Sequence, residues 1–304
     1  MLPAQVLQTL FVDTDAGPVH LSAASGMVRI GQRLYVIADD DNQLAVFDLG
    51  HRGAGSFRRL FAGELPAAPE ARKAAKPDLE ALVRLPAFTG YPQGALLALG
   101  SGSRPNRQRA ALLALHEQGG IDGDARELDF APIHAPLQSR FAQLNIEGAF
   151  ANGTRFCLLQ RGNAATPDNA LVEYDCAAIL DWLRGGAAAP PPLAVHPYDL
   201  GELEGVPLCF TDGAALPGGG WVYCAVAEAT RDNYADGPCQ GSAVGIVAAD
   251  GRPGQRWPLT PRCKTEGIAA SIDQGRLELL LVTDADDPGT PAQLLRAELA
   301  TPLL

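Results

Sequence analysis

Four acidic residues stand in closely similar short phrases: Glu80 in "DLEAL" (78–82), Glu147 in "NIEGAF" (145–150), Asp212 in "TDGAAL" (211–216) and Glu266 in "TEGIAA" (265–270). In each phrase the acid is followed by glycine or alanine and lies at the start of a strand-like run. Carboxylates brought together from distant segments can do two kinds of chemistry. They can ligate a hard cation such as Ca²⁺, which takes about six to eight oxygen ligands, or one of them can act as a base towards water. Glu147 or Glu266 is the expected catalytic carboxylate, and Glu80, Glu147, Asp212 and Glu266 the expected metal set. Converging like charges raise one another's pKa unless a positive group intervenes. Ca²⁺ would be one such group. Lys264 would be another, since in an extended strand it shares a face with Glu266, and Lys76 has the same parity relative to Glu80. Arg104 and Arg161, at the loops that end the second strands of their repeats, could reach the same region. A ring of this kind could equally be self-neutralised and purely structural.

A second set of polar residues lies in five loops: 38–43, 100–107, 160–169, 228–241 and 283–290. They are long for hairpin connections, and overlong loops are where binding residues concentrate. Glu228 and Asp284, at the beginnings of the fourth and fifth, join Lys76, Arg104, Arg161 and Lys264 as expected ligand-binding residues. Tests for other motifs fail. "DADDPG" begins like a calcium loop but has Pro288 at its fifth position and Leu295 at its twelfth, so it is no EF-hand. There is no nucleophile elbow, phosphate loop or zinc-binding helix motif.

The elements that must position these residues are strands. "RLYVIAD" (33–39), "GALLALGS" (94–101), "RFCLLQR" (155–161), "GWVYCAVAE" (220–228) and "LELLLVTD" (277–284) are short apolar runs, each followed by a second one. Each hairpin follows one of the small-residue phrases, with "SAASGMVRI" (22–30) in the first repeat. From Ser25 through Glu80, Glu147 and Asp212 to Glu266 the steps are 55, 67, 65 and 54 residues. That periodicity predicts an all-β, single-domain β-propeller of five blades, with six as the alternative. The blades fall at about 21–65, 78–130, 145–200, 210–260 and 264–299. The last lacks a fourth strand, which the run at 5–13 would supply, closing the ring. A short helix is expected near 176–186, and 66–77 and 187–192 read as linker pieces. In a narrow ring the first strands crowd together, which explains the glycines after the acids.

The chain has 304 residues, with 24 basic against 35 acidic side chains, a net charge of −11 and 47% hydrophobic residues. An acidic protein is a poor partner for nucleic acid, whose affinity comes from clustered Lys and Arg. A small-molecule ligand is the expected partner, and a monomer the expected state. The start of the sequence shows no signal-like segment and no run long enough to cross a membrane, so a soluble cytoplasmic protein is expected. The six cysteines show no metal-binding spacing and are expected to be reduced.

The "EG" openings, above all "KTEGIAA" and "NIEGAF", resemble those of uncharacterised bacterial propellers related to the esterase-like domain of phytase. The resemblance spans residues 20–299 and implies six blades and calcium-bound carboxylates acting on phosphoesters, where the hairpins number five.

Overall fold

The computed structural model describes residues 1–300 apart from 52, 187, 231–236 and 274. The protein is all-β. Four-stranded antiparallel meanders follow one another along the chain. The first comprises Ala24–Ile30, Arg33–Ala38, Gln43–Asp48 and Ser56–Arg59. The second comprises Leu79–Leu85, Ala95–Gly100, Arg109–Leu115 and Ile121–Asp129, and the third Ile146–Asn152, Arg155–Gln160, Ala170–Asp175 and Ala194–Pro197. The fourth is built on Val206–Ala215, Trp221–Glu228, Cys239–Val247 and Pro253–Thr260. Thr265–Asp273, Arg276–Thr283 and Gln293–Ala300 make the last.

The N-terminal strand Leu2–Thr9 pairs antiparallel with Gln293–Ala300, with Ala4 opposite Ala297 and Thr9 opposite Gln293. It also touches the fourth sheet in parallel through Leu2 and Leu259. The strand expected at 5–13 is therefore two elements. It breaks at the buried Leu10, after which Phe11–Thr14 turns back on Gly17–His20 in a separate hairpin.

The first strand of each sheet packs against the first strand of the next, and Thr265–Asp273 returns to Ala24–Ile30. Side chains between neighbouring sheets are almost wholly apolar, with Leu97, Leu112, Phe156 and Tyr174 fully or nearly fully buried between the second and third. At the inner strands there is no room for bulk. A Cβ on Gly148 would lie 2.8 Å from the Asp212 backbone, and one on Gly26 would lie 2.9 Å from the Glu80 carbonyl. Among the described residues all six cysteines are free, four of them buried.

The expected helix is Cys176–Leu183, capped by the Asp175 carboxylate, which accepts the Ala178 N–H at 2.9 Å. Two further helices occur. Ala131–Gln138 buries Ile133, His134 and Leu137, and Pro69–Ala75 lies in the stretch expected to be plain linker. Among the described residues no helix is long and apolar enough to cross a membrane.

Candidate functional site

Each inner strand carries a β-bulge near its start. Between Leu79 opposite Gly100 and Ala81 opposite Leu99, Glu80 is the extra residue. Glu147 holds the same place between Ile146 and Gly148, and Glu266 between Thr265 and Gly267. In the first strand the bulge falls at Ser25 and Gly26, and in the fourth at Thr211. A bulge leaves one residue out of the ladder and re-aims its side chain, so these five residues form the structurally equivalent set. The two hydroxyls bind the next sheet. The Ser25 Oγ donates to the Leu79 carbonyl at 2.5 Å and the Thr211 Oγ1 to the Thr265 carbonyl at 2.8 Å. The three glutamates face a cavity instead.

This register corrects the expectation for Asp212. The residue lies one position past the bulge, so its side chain is turned away from the cavity, as a one-residue shift requires. Its Oδ1 accepts the Gly213 N–H at 2.7 Å and its Oδ2 the Ile268 N–H at 3.0 Å. Burial holds its pKa well above the usual carboxylate range. Asp212 locks two sheets together and is no ligand of the cavity.

The cavity, about 260 Å³, is lined by the bulge residues Ser25, Glu80, Glu147 and Glu266 and by all five of the long polar loops. Ten carboxyl and six cationic side chains face it, with no aromatic residue among the described lining. Lys76, Arg161, Glu228, Lys264 and Asp284 all belong to it. Arg104 does not. It is exposed, preceding the 3₁₀ turn Pro105–Arg107, and Arg107 three residues later is the buried lining residue in its place. Residues 231–236 of the fourth loop lie outside the described residues.

Two ion networks organise the charges. Arg161 spans three sheets. Its Nη1 lies 3.2 Å from Glu147 and 3.8 Å from Glu266, while its Nη2 lies 2.6 Å from Glu228. Lys264 sits 3.2 Å from Glu266, 3.8 Å from Glu228 and 2.5 Å from Asp286. The Asn145 side-chain N–H donates to the other Glu147 oxygen at 2.5 Å. In the second network Lys76 pairs with Asp39 and, at 3.2 Å, with Asp78 rather than with Glu80. Asp78 also accepts from Arg107 at 2.8 Å and from the Ser101 hydroxyl at 2.6 Å.

Glu80 stands between the two networks. Among the described residues it forms no ion pair and accepts no hydrogen bond, although a carboxylate oxygen of Asp39, Asp78 and Glu80 can be chosen so that all three lie within 4.8 Å. Burial, followed by the negative charges of Glu147, Asp78 and Asp39, holds its pKa well above the ordinary value. Burial also raises Glu147, pushes Glu266 up to about 8 against the opposing pull of Lys264 and Arg161, and pushes Asp284 up to about 7 and Asp39 to about 6. Asp39, Asp78, Arg107 and Asn145 were not among the residues expected from sequence. Asp39 was one acid in a row of three, and Asp78 preceded the repeated acid by two positions with nothing to mark it for burial.

A profile of a family of unknown function, DUF6929, matches residues 20–299, and the chain belongs to that family. No curated protein matches the sequence. Among solved structures the chain is similar to the α-L-arabinofuranosidase PaAbf62A from Podospora anserina, with TM-score 0.50, 10% identity and coverage of 98% of this chain and 96% of that one. It is also similar to a luciferin-regenerating enzyme, with TM-score 0.49, 9% identity and coverage of 93% and 92%. The β-propeller domain of Cps50 (Swd1) from Myceliophteria thermophila gives TM-score 0.37, 12% identity and coverage of 91% and 72%. At these identities the likeness concerns the fold alone.

Proposed function

We propose that this member of the family is a five-bladed propeller, closed by its N-terminal strand, whose mouth cavity is a hydrolytic site for a small polar ester, lactone or phosphoester. The observation that carries the reading is Glu80. Glu80 is half-buried at the cavity wall and has no partner among the described residues, whereas every other cavity residue discussed above has one. A carboxyl group beside other acids has its pKa raised, and in its neutral form it can give a proton to a leaving oxygen. Glu266 is the complementary base in its ionised form, which predominates above its pKa of about 8. Its Oε1 carries both cations, which leaves Oε2 without a protein partner among the described residues. Water loses a proton to Glu266 as its oxygen attacks the acyl or phosphoryl centre, and the departing alkoxide takes the proton of Glu80. Glu147, fixed by Asn145 and Arg161, holds the frame. The polar lining, without aromatic rings among the described residues, favours a small, hydrogen-bonding substrate over an apolar one.

Hydrolysis of ethyl acetate, γ-butyrolactone and glycerol 2-phosphate, whose alkoxide leaving groups need a proton, tests this. Wild-type protein should turn over at least one of them, and Glu80→Gln should lose about 100-fold or more of that rate while remaining folded. Equal rates in the two proteins, or no turnover of any, would refute it.

Asp39, Asp78 and Glu80 favour a second reading, in which a divalent cation such as Ca²⁺ occupies their side of the cavity. The cation would have to displace Lys76, and three side chains supply only part of the oxygen shell calcium takes. This reading requires a rise in melting temperature with Ca²⁺ that EDTA reverses. A flat response excludes it.

A further inference from the structure

From Pro66 to Ala75 no residue is buried, and Arg72 and Lys73 alone are half-buried. This stretch includes the helix Pro69–Ala75, whose N-terminus has no side-chain cap. A seven-residue helix with no buried apolar face gains almost nothing from packing and is marginal by itself. Yet it lies across the cavity, to which it presents Pro69, Arg72 and Lys73, with Lys76 just beyond its end. Its tethers are polar. Arg72 Nε lies 3.4 Å from the Asp40 carboxylate, at about one-third exposure on both sides. The Asn106 side chain donates to the Ala74 and Lys76 carbonyls at 3.3 and 3.0 Å. Below them Lys76 is buried and doubly paired, so the far end of the segment is fixed. Prolines at 66 and 77 bracket the whole and restrict the residues before them to extended backbone.

We infer that residues 66–75 form a lid over the mouth cavity, pivoting at Lys76–Pro77 and latched by the Arg72–Asp40 ion pair, so that access to the cavity is set by ionic strength. The inference rests on reading the cavity as a ligand site. An exposed ion pair loses most of its strength when salt shortens the Debye length to about 3 Å at 1 M. The inner strands hold through apolar packing and backbone pairing, which salt does not weaken in this way. Lid and frame should therefore separate in their salt response.

Two measurements on the full-length protein test this, neither using turnover. The first is amide hydrogen exchange over residues 69–76 relative to the inner strands. The second is the rate at which a methanethiosulfonate reagent labels the cavity thiol of Ser25→Cys, taken over the labelling of the parent's own thiols. Arg72→Ala, Asp40→Asn and about 1 M NaCl should each speed both by roughly 3-fold, the factor expected from one exposed ion pair, and leave inner-strand exchange unchanged. Faster exchange without faster labelling, or no change in either, overturns the lid. A lid that opens in a protein that hydrolyses none of the three test compounds would leave the inference standing and remove the hydrolytic reading. The reverse pattern would do the opposite.

Discussion

Replacing Glu266 by Gln separates a structural acid from a titrating one. Glu266 is 5% exposed, with Lys264 at 3.2 Å and Arg161 at 3.8 Å. Were it the sole partner of Lys264, the change would strand a buried ammonium and cost about 3 kcal/mol or more. Lys264 keeps Asp286 at 2.5 Å and Glu228 at 3.8 Å, however, and Arg161 keeps Glu147 and Glu228. The neutral amide then mimics the protonated acid. With a folded pKa of about 8 against an ordinary 4.5, Glu266 binds its proton more tightly in the native state than in the unfolded one. Its contribution to stability is fully present below pH 4.5 and falls by about 1.4 kcal/mol per pH unit until pH 8, above which both states are ionised. Between pH 5.5 and 7.5 the wild-type protein should thus lose about 2–3 kcal/mol relative to Glu266→Gln. The two should be similar in stability near pH 5, with the variant ahead at pH 7.5. Urea titrations of both proteins at the two pH values measure this. Identical pH slopes, or a variant already about 3 kcal/mol weaker at pH 5.5, would refute the account of the network.

Two other changes probe the frame. Arg161→Met leaves Glu147, Glu228 and Glu266 buried around one fewer cation and should cost about 3–5 kcal/mol at pH 7 by urea denaturation, whereas a loss under about 1 kcal/mol would show that Lys264 alone neutralises the cluster. Removing residues 1–9 deletes the strand paired with Gln293–Ala300 and exposes a sheet edge; the truncated protein should not fold cooperatively, and an unchanged calorimetric melt would disprove the closure.

Much of this arrangement was legible from residue order. Short continuous apolar runs marked the hairpins because strands covered on both faces impose that pattern, and the acid-plus-small-residue phrases marked the inner strands because their backbones nearly touch. The helical apolar spacing within 176–186 and the glycine pair at its end announced a helix. The helix at Pro69–Ala75 also left signals, a proline at its start, Glu70 in its first turn and Arg72 and Lys73 in its last. The surrounding prolines and alanines made it read as linker, since it has no apolar stripe to show. Arg104 and Arg107 were indistinguishable in one polar loop. The intervening 3₁₀ turn, which points one outward and buries the other, has no pattern that separates them.

Asp212 shows most plainly where residue order stops. Aligning "TDG" with "IEG" by the acid and glycine is natural, yet the bulge falls on Thr211, and a bulge is a property of strand pairing that no single phrase encodes. Its placement has a chemical consequence. With hydroxyls at Ser25 and Thr211, two of the five equivalent positions bond directly to the next sheet, and the three glutamates supply all the acid of the set. Thr211 is outside the cavity lining, and the acids stand at the second, third and fifth places of the set. Arg161 and Lys264 answer Glu147 and Glu266 there, and Lys76 is drawn off by Asp39 and Asp78. Glu80 is left without a cation of its own by this division. Had the fourth bulge fallen on Asp212, a fourth acid would have faced the ring with no additional base to meet it. The placement of the bulge on Thr211 therefore keeps a fourth acid off a ring in which Glu80 already has no ion-pair partner among the described residues.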